Sequence, residues 1–154
     1  MGFDVPVEIG RGLAEVDSLR ALLQWLEGQS GYAADILRMH ALYQLIDVIR
    51  SQSPDSAYML AKQLEELAQK SGYPAARGLS DLARALTYSG RAAYDSVILI
   101  SRQAMFHLEK AAHEKLRAQA FHPLSRGYRY QGAYDSALVY YEQAGAIRES
   151  GVLI

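Results

Sequence analysis

Residues 121–144, FHPLSRGYRYQGAYDSALVYYEQA, decide the fold. Phe121, Leu124 and Tyr128 recur at spacings of three and four. Gly132 then breaks the run, and Asp135-Ser136 opens a second one through Ala137, Tyr141 and Ala144. Apolar residues at i, i+3, i+4 and i+7 lie on one stripe of a helix. A glycine between two such runs reverses the chain. The stretch therefore reads as two antiparallel helices. The oxygens of Asp and Ser accept hydrogen bonds from the orphan N–H groups of a first turn, so the Asp-Ser pair reads as an N-cap.

The same signals recur upstream. Asp17-Ser18, Asp55-Ser56, Asp95-Ser96 and Asp135-Ser136 are spaced by 38, 40 and 40 residues. The intervening helices repeat as Met39, Leu42 and Ile46, then Leu79, Leu82 and Leu86, then Phe121, Leu124 and Tyr128, at spacings of 40 and 42. The unit is thus a helix pair of about 40 residues. Breakers at Gly28 to Gly31, Ser51 to Pro54, Gly72-Tyr73-Pro74, Gly90 and Gly132 delimit seven expected helices, near 14–28, 32–51, 55–70, 75–89, 94–113, 115–131 and 134–149. No segment sustains period-2 alternation, so strand content is expected near zero. Residues 1–12 read as an irregular lead-in and 13–154 as a single helical repeat domain. The helix at 32–51 is apolar on nearly every side, which predicts burial by neighbours on both flanks. Pro123 falls inside the sixth helix, where it lacks an N–H and clashes with the preceding turn. Either that helix is kinked or its regular part starts near His122.

Composition bounds the function. Of 154 residues, 50% are hydrophobic and 21% charged, with a net charge of -1. That balance excludes a disordered chain. It also gives no global case for a nucleic-acid partner. Without cysteine there is no disulfide framework, thiolate nucleophile or zinc-thiolate site. No apolar run approaches the ~20 residues that span a bilayer, and the first 30 residues lack a signal-peptide pattern. The expectation is a cytoplasmic protein with no membrane contact. Gly10-Arg11-Gly12 lacks a third glycine, and neither a phosphate loop nor a Gly-x-Ser-x-Gly elbow is present. His113-Glu114 lacks the second His of a zinc-protease helix. No catalysis, metal or cofactor is expected.

Phe121, Leu124, Ser125, Tyr128, Gly132, Tyr134, Ala137, Tyr141 and Ala144 resemble the tetratricopeptide repeat pattern of large, Leu, small, Tyr, Gly, Tyr, Ala, aromatic and Ala. Leu79, Leu82, Ala83, Gly90, Tyr94 and Ala104 match it in part. The resemblance implies an all-α, right-handed array of about seven antiparallel helices that binds protein or peptide segments in a concave groove. More loosely, the architecture looks like the N-terminal sensory part of bacterial signalling proteins such as diguanylate cyclases. A regulatory sensor or dimerisation domain of a longer protein is the alternative function.

Carried over by position, the groove holds Arg77, Arg84 and Tyr88 from one helix and His122, Arg126, Arg129 and Tyr130 from the next. Arg84 and Arg126 occupy equivalent positions, as do Tyr88 and Tyr130. Two guanidiniums one repeat apart suit an acidic or carboxylate-ended peptide. The charge is divided, -4 over residues 1–76 and +3 over 77–154, which suits an acidic partner or head-to-tail self-association. Finally, residues 137–141 run apolar for more than one turn, so they reach every side of the last helix. Val139 and Tyr140 are the expected association surface, covered by a second copy of the chain or by a following segment.

Overall fold

The computed structural model describes residues 13–149. The predicted lead-in at 1–12 and the last residues, 150–154, lie outside them. Among the described residues all regular structure is helical: α1 (Leu13–Glu27), α2 (Tyr32–Ile49), α3 (Pro54–Ser71), α4 (Ala76–Gly90), α5 (Tyr94–Lys110), α6 (Glu114–Gln119), α7 (Phe121–Tyr130) and α8 (Tyr134–Glu149). α6 and α7 are parted only at Ala120, so together they form one bent element and the array has the seven expected units. Pro123 explains the bend. It cannot donate to the Gln119 carbonyl, and the chain breaks between the two. Ala120 N–H instead bonds the Arg117 carbonyl at 3.1 Å. α7 then restarts at Phe121, which places Pro123 in a first turn, where a missing N–H costs nothing.

The Asp-Ser pairs mark helix starts, but not as caps. α3, α5 and α8 begin one residue before Asp55, Asp95 and Asp135. The capping residues Ser53 and Ala93 make no side-chain cap bond. Each Asp lies in the first turn, where its charge meets the positive end of the helix dipole. Asp17-Ser18 sits inside α1 and starts nothing.

One turn geometry recurs after α4, α5 and α7. The N–H groups of Ala93, His113 and Ala133 bond the carbonyls five residues back, Tyr88, Leu108 and Tyr128, at 2.9, 3.0 and 2.9 Å. This six-residue closure requires a left-handed residue. It is Gly132 in the last turn (φ 82) but Ala92 (φ 59) and Ala112 (φ 55) in the other two.

α4 is the hub. It packs against α2, α3, α5, α6 and α7, whereas α3 and α5 flank it without touching each other. The main core runs unbroken from Leu19 through Leu42, Ile46, Leu64, Leu79 and Leu82 to Leu116. Burying each such side chain stabilises by about 1.5–3 kcal/mol. α2 is buried along several faces, as its all-round apolar pattern predicts. Phe121, Ala118 and Ala144 form a separate, smaller cluster that seats α8. Glycine permits two close approaches to α4: a Cβ on Gly90 would lie 2.4 Å from the Arg50 carbonyl oxygen, and one on Gly78 would lie 2.3 Å from Leu108 Cγ.

Candidate functional site

Two clefts of mixed polar and apolar lining lie on opposite flanks of α4. The larger, about 790 Å³, opens where α3 and α5 fail to meet. Its base is one stripe of α4, Arg77, Ser80, Asp81 and Arg84; α3 contributes Glu65, Ala68 and Gln69, and α5 contributes Leu99, Arg102, Gln103, Phe106 and His107. Steps of three and four put each set on a single helix face. Asp81 organises this cleft. Its buried carboxylate pairs with His107 Nδ1 at 2.8 Å and with Arg84 Nη1 at 3.5 Å. One carboxylate thus tethers a cationic side chain from its own helix and a histidine from the next. Arg77 is exposed and has no carboxylate partner among the described residues.

The apolar wall is unusual for its openness. Leu99 is 59% exposed and Phe106 58%. Lys110 Nζ stands 5.3 Å over the Phe106 ring. Arg102 lies 5.5 Å over the Tyr128 ring and also donates to its hydroxyl. The lane continues through Arg84 and Glu65 into a smaller recess lined by Tyr58, Lys62, Thr87 and Tyr88.

The other cleft, about 350 Å³, is lined by Glu15 of α1, Tyr43, Gln44 and Asp47 of α2, Leu86 of α4, and Gln119, His122, Pro123 and Arg126 of the bent α6–α7 pair. Beside it, Arg50 Nη1 and Arg126 Nη1 both donate to Ser89 Oγ, each at 3.1 Å. Arg50 also pairs with Asp47 at 3.3 Å. Burial, followed by the nearby Arg50 charge, lowers the proton affinity of Arg126. Burial pushes the Tyr43 phenol far above its usual range. This trio ties the C-terminal ends of α2 and α4 to α7.

The seven predicted groove residues therefore do not share one groove. Arg77, Arg84 and Tyr88 belong to the α3–α4–α5 side, and His122 and Arg126 to the α2–α7 side. Arg129 and Tyr130 stand at the end of α7, where Arg129 lies 4.9 Å over the Tyr130 ring, which stacks on Tyr94 at 4.5 Å. The equivalence of Arg84 and Arg126 fails for a geometric reason. Leu82 and Leu124 are both fully buried, so the inward direction matches. What lies on each flank does not: α4 meets α7 through Ser89, five residues or about 140° around the helix from Arg84.

Of the expected association pair, Val139 is exposed, but Tyr140 is engaged. Its ring stacks on Tyr128 at 5.8 Å and tilts against Phe121 at 6.2 Å. Besides Val139, the residues left open on α8 are Tyr134, Leu138 and Tyr141. Sequence reasoning missed Asp81, Leu99, Phe106 and His107. The i, i+3 step from Asp81 to Arg84 and the i, i+7 step from Leu99 to Phe106 were the available signals.

Among the described residues no group of three or more metal-ligating side chains occurs, and no helix is long and apolar enough to cross a membrane. Compared with protein-family models, with curated proteins and with solved structures, the chain matches none.

Proposed function

We propose that the chain is a binding module of the tetratricopeptide kind, a right-handed helical array that holds an acidic or carboxylate-ended protein segment and performs no catalysis of its own. The observation that carries this reading is the lane along α4 from Arg77 through Arg84 to Tyr88, which is roughly 16 Å long at 1.5 Å per residue. It is open to solvent, cationic on its base and apolar on its α5 wall. A preorganised guanidinium beside an apolar surface suits a carboxylate carried on a partly hydrophobic chain. Arg77 and Arg84 are the recognising residues. Arg126 and His122 lie on the far flank and take no part. The cytoplasm remains the expected compartment.

The test is fluorescence anisotropy with labelled acidic peptides. Replacing both Arg77 and Arg84 by Ala weakens binding at least tenfold, while Arg126→Ala leaves it within twofold. The reverse order would sink the assignment of the groove.

A second reading is favoured by α8. Leu138 is 55% exposed and Tyr141 64%, and both share a face with Tyr134. An uncovered apolar strip of this kind suits self-association. This is the dimerisation branch of the sensor-domain alternative. Light scattering at micromolar concentration decides it, since a monomer at every concentration removes it.

A further inference from the structure

We infer that the α3–α4–α5 cleft selects a partner segment in polyproline II conformation, with acidic residues at every third position and apolar residues at an adjacent third. This rests on the peptide-binding reading above and adds the spacing and conformation of the ligand.

Two pairs of side chains with the same sequence step set the scale. Arg77 and Arg84 line the cleft from α4, and Leu99 and Phe106 from α5, each pair seven residues apart. Seven residues return a helix to within about 20° of the same face and advance it about 10.5 Å. The cleft therefore offers cations about 10.5 Å apart on its base and apolar groups about 10.5 Å apart on its wall.

Few extended conformations match that repeat. In a β-strand, residues on one side are separated by two or four positions, about 6.8 or 13.5 Å, while residues three apart face opposite sides. An α-helix would need seven residues, and the width of a second helix, about 10 Å, would have to fit between α3 and α5. Polyproline II turns once in three residues and rises about 3.1 Å per residue, so residues i and i+3 face one way about 9.3 Å apart. The remaining difference of about 1 Å lies within the reach of an arginine side chain. The three edges of such a helix then have separate uses. One meets Arg77 and Arg84, one meets Leu99 and Phe106, and one faces water.

Polarity within the cleft agrees. Asp81 is buried and committed to His107 and Arg84, so it does not stand free to repel an acidic ligand. Arg77 lacks a carboxylate partner among the described residues. Arg102, which lines the α5 wall between Leu99 and Phe106, is a third cation in the cleft, and Lys110 stands over the Phe106 ring beside it. Among the described residues Glu65 is the one other carboxylate that lines the cleft, and it lies on the α3 side, at the junction with the smaller recess.

The experiment uses the full chain and labelled peptides read by anisotropy. Glu-Leu-Pro repeated four times is compared with peptides of equal charge whose glutamates stand two or four apart. The three-residue spacing binds at least fivefold tighter than either, and exchanging its prolines for glycine weakens it, because the bound conformation is no longer preformed. Leu99→Ser combined with Phe106→Ser weakens the Glu-Leu-Pro peptide but not a Glu-Ser-Pro peptide, and both residues are exposed enough for the variant to fold. Equal binding at all spacings, still lost in Arg84→Ala, overturns the polyproline geometry and leaves the acidic-peptide reading standing. Tighter binding of the glycine peptide also overturns it. Absence of Arg84-dependent binding by any acidic peptide overturns the reading and the inference together.

Discussion

α4 and α8 are apolar-rich helices of similar length, 15 and 16 residues, yet they meet opposite fates. α4 lies beneath five neighbouring helices, and even Ser80, Asp81, Thr87 and Ser89 are buried on it. Among the described residues α8 packs against α6 and α7 alone, and leaves Tyr134, Leu138, Val139 and Tyr141 exposed. The comparison shows that here burial follows from the number of neighbouring helices and not from the apolarity of the segment. Polar groups on α4 are tolerated because they are paired: Thr87 Oγ1 donates to the Arg84 carbonyl at 2.7 Å, and Ser89 Oγ accepts from two arginines.

The difference can be tested from the most damaging change downwards. Gly90→Ala should be the most severe, because its Cβ would strike the Arg50 backbone, which cannot turn aside as a side chain can. A loss of about 3 kcal/mol is expected, the upper end for overpacking, read by urea unfolding. A loss below about 1 kcal/mol would show that α2 and α4 slide freely past each other and that the hub is soft.

Next are the left-handed alanines of the repeated turn. Ala92→Gly and Ala112→Gly each remove a strain of roughly 1 kcal/mol for an L-residue with positive φ. Part of this is offset by the added chain entropy of glycine. The double variant should melt a few degrees higher. A lower melting temperature would mean that the turns are relaxed with alanine.

A modest pH effect should come from His40. Burial, and secondarily the charge of His113, lowers its proton affinity in the folded chain, and its Nε2 lies 3.4 Å from the Tyr73 hydroxyl. The unfolded chain therefore binds the proton more strongly. Stability from the neutral imidazole is complete above the ordinary histidine value near 6.5 and is lost as pH falls below it. Thermal melts from pH 8 to pH 5 should show this decline, and His40→Gln should flatten part of it. An identical decline in the variant would exclude His40 as the source.

The smallest change is expected on α8. Tyr141→Glu should alter stability by no more than about 0.5 kcal/mol, since the ring is mostly in water. Any self-association should weaken with it. A large loss of stability would show that Tyr141 is covered after all, and the contrast with α4 would shrink.

Much of this fold was legible in one sequence. Three-and-four periodicity located the helices, because one buried stripe imposes that spacing whatever the neighbours are. Gly132 and Pro123 located a turn and a bend, because backbone chemistry acts locally. The turns at Ala92 and Ala112 were less plain, since alanine gives no sign that it holds a left-handed conformation. The site was legible only in part. Arg77, Arg84 and Tyr88 were visible as one helix face, and that face does line a cleft.

What the sequence determined by itself is therefore everything that depends on a helix and its own stripe: the all-α class, the helix pairs, the inward residues and the cationic face of α4. What only the tertiary structure decided is which helix stands on each flank. Arg84 and Arg126 share a position in the repeat, but one opens onto the gap between α3 and α5 and the other reaches Ser89 and the end of α2. Periodicity records the distance of a residue from the core, and it carries no information about direction around it. That direction comes from how five helices crowd around α4, and from the break at Ala120 between α6 and α7.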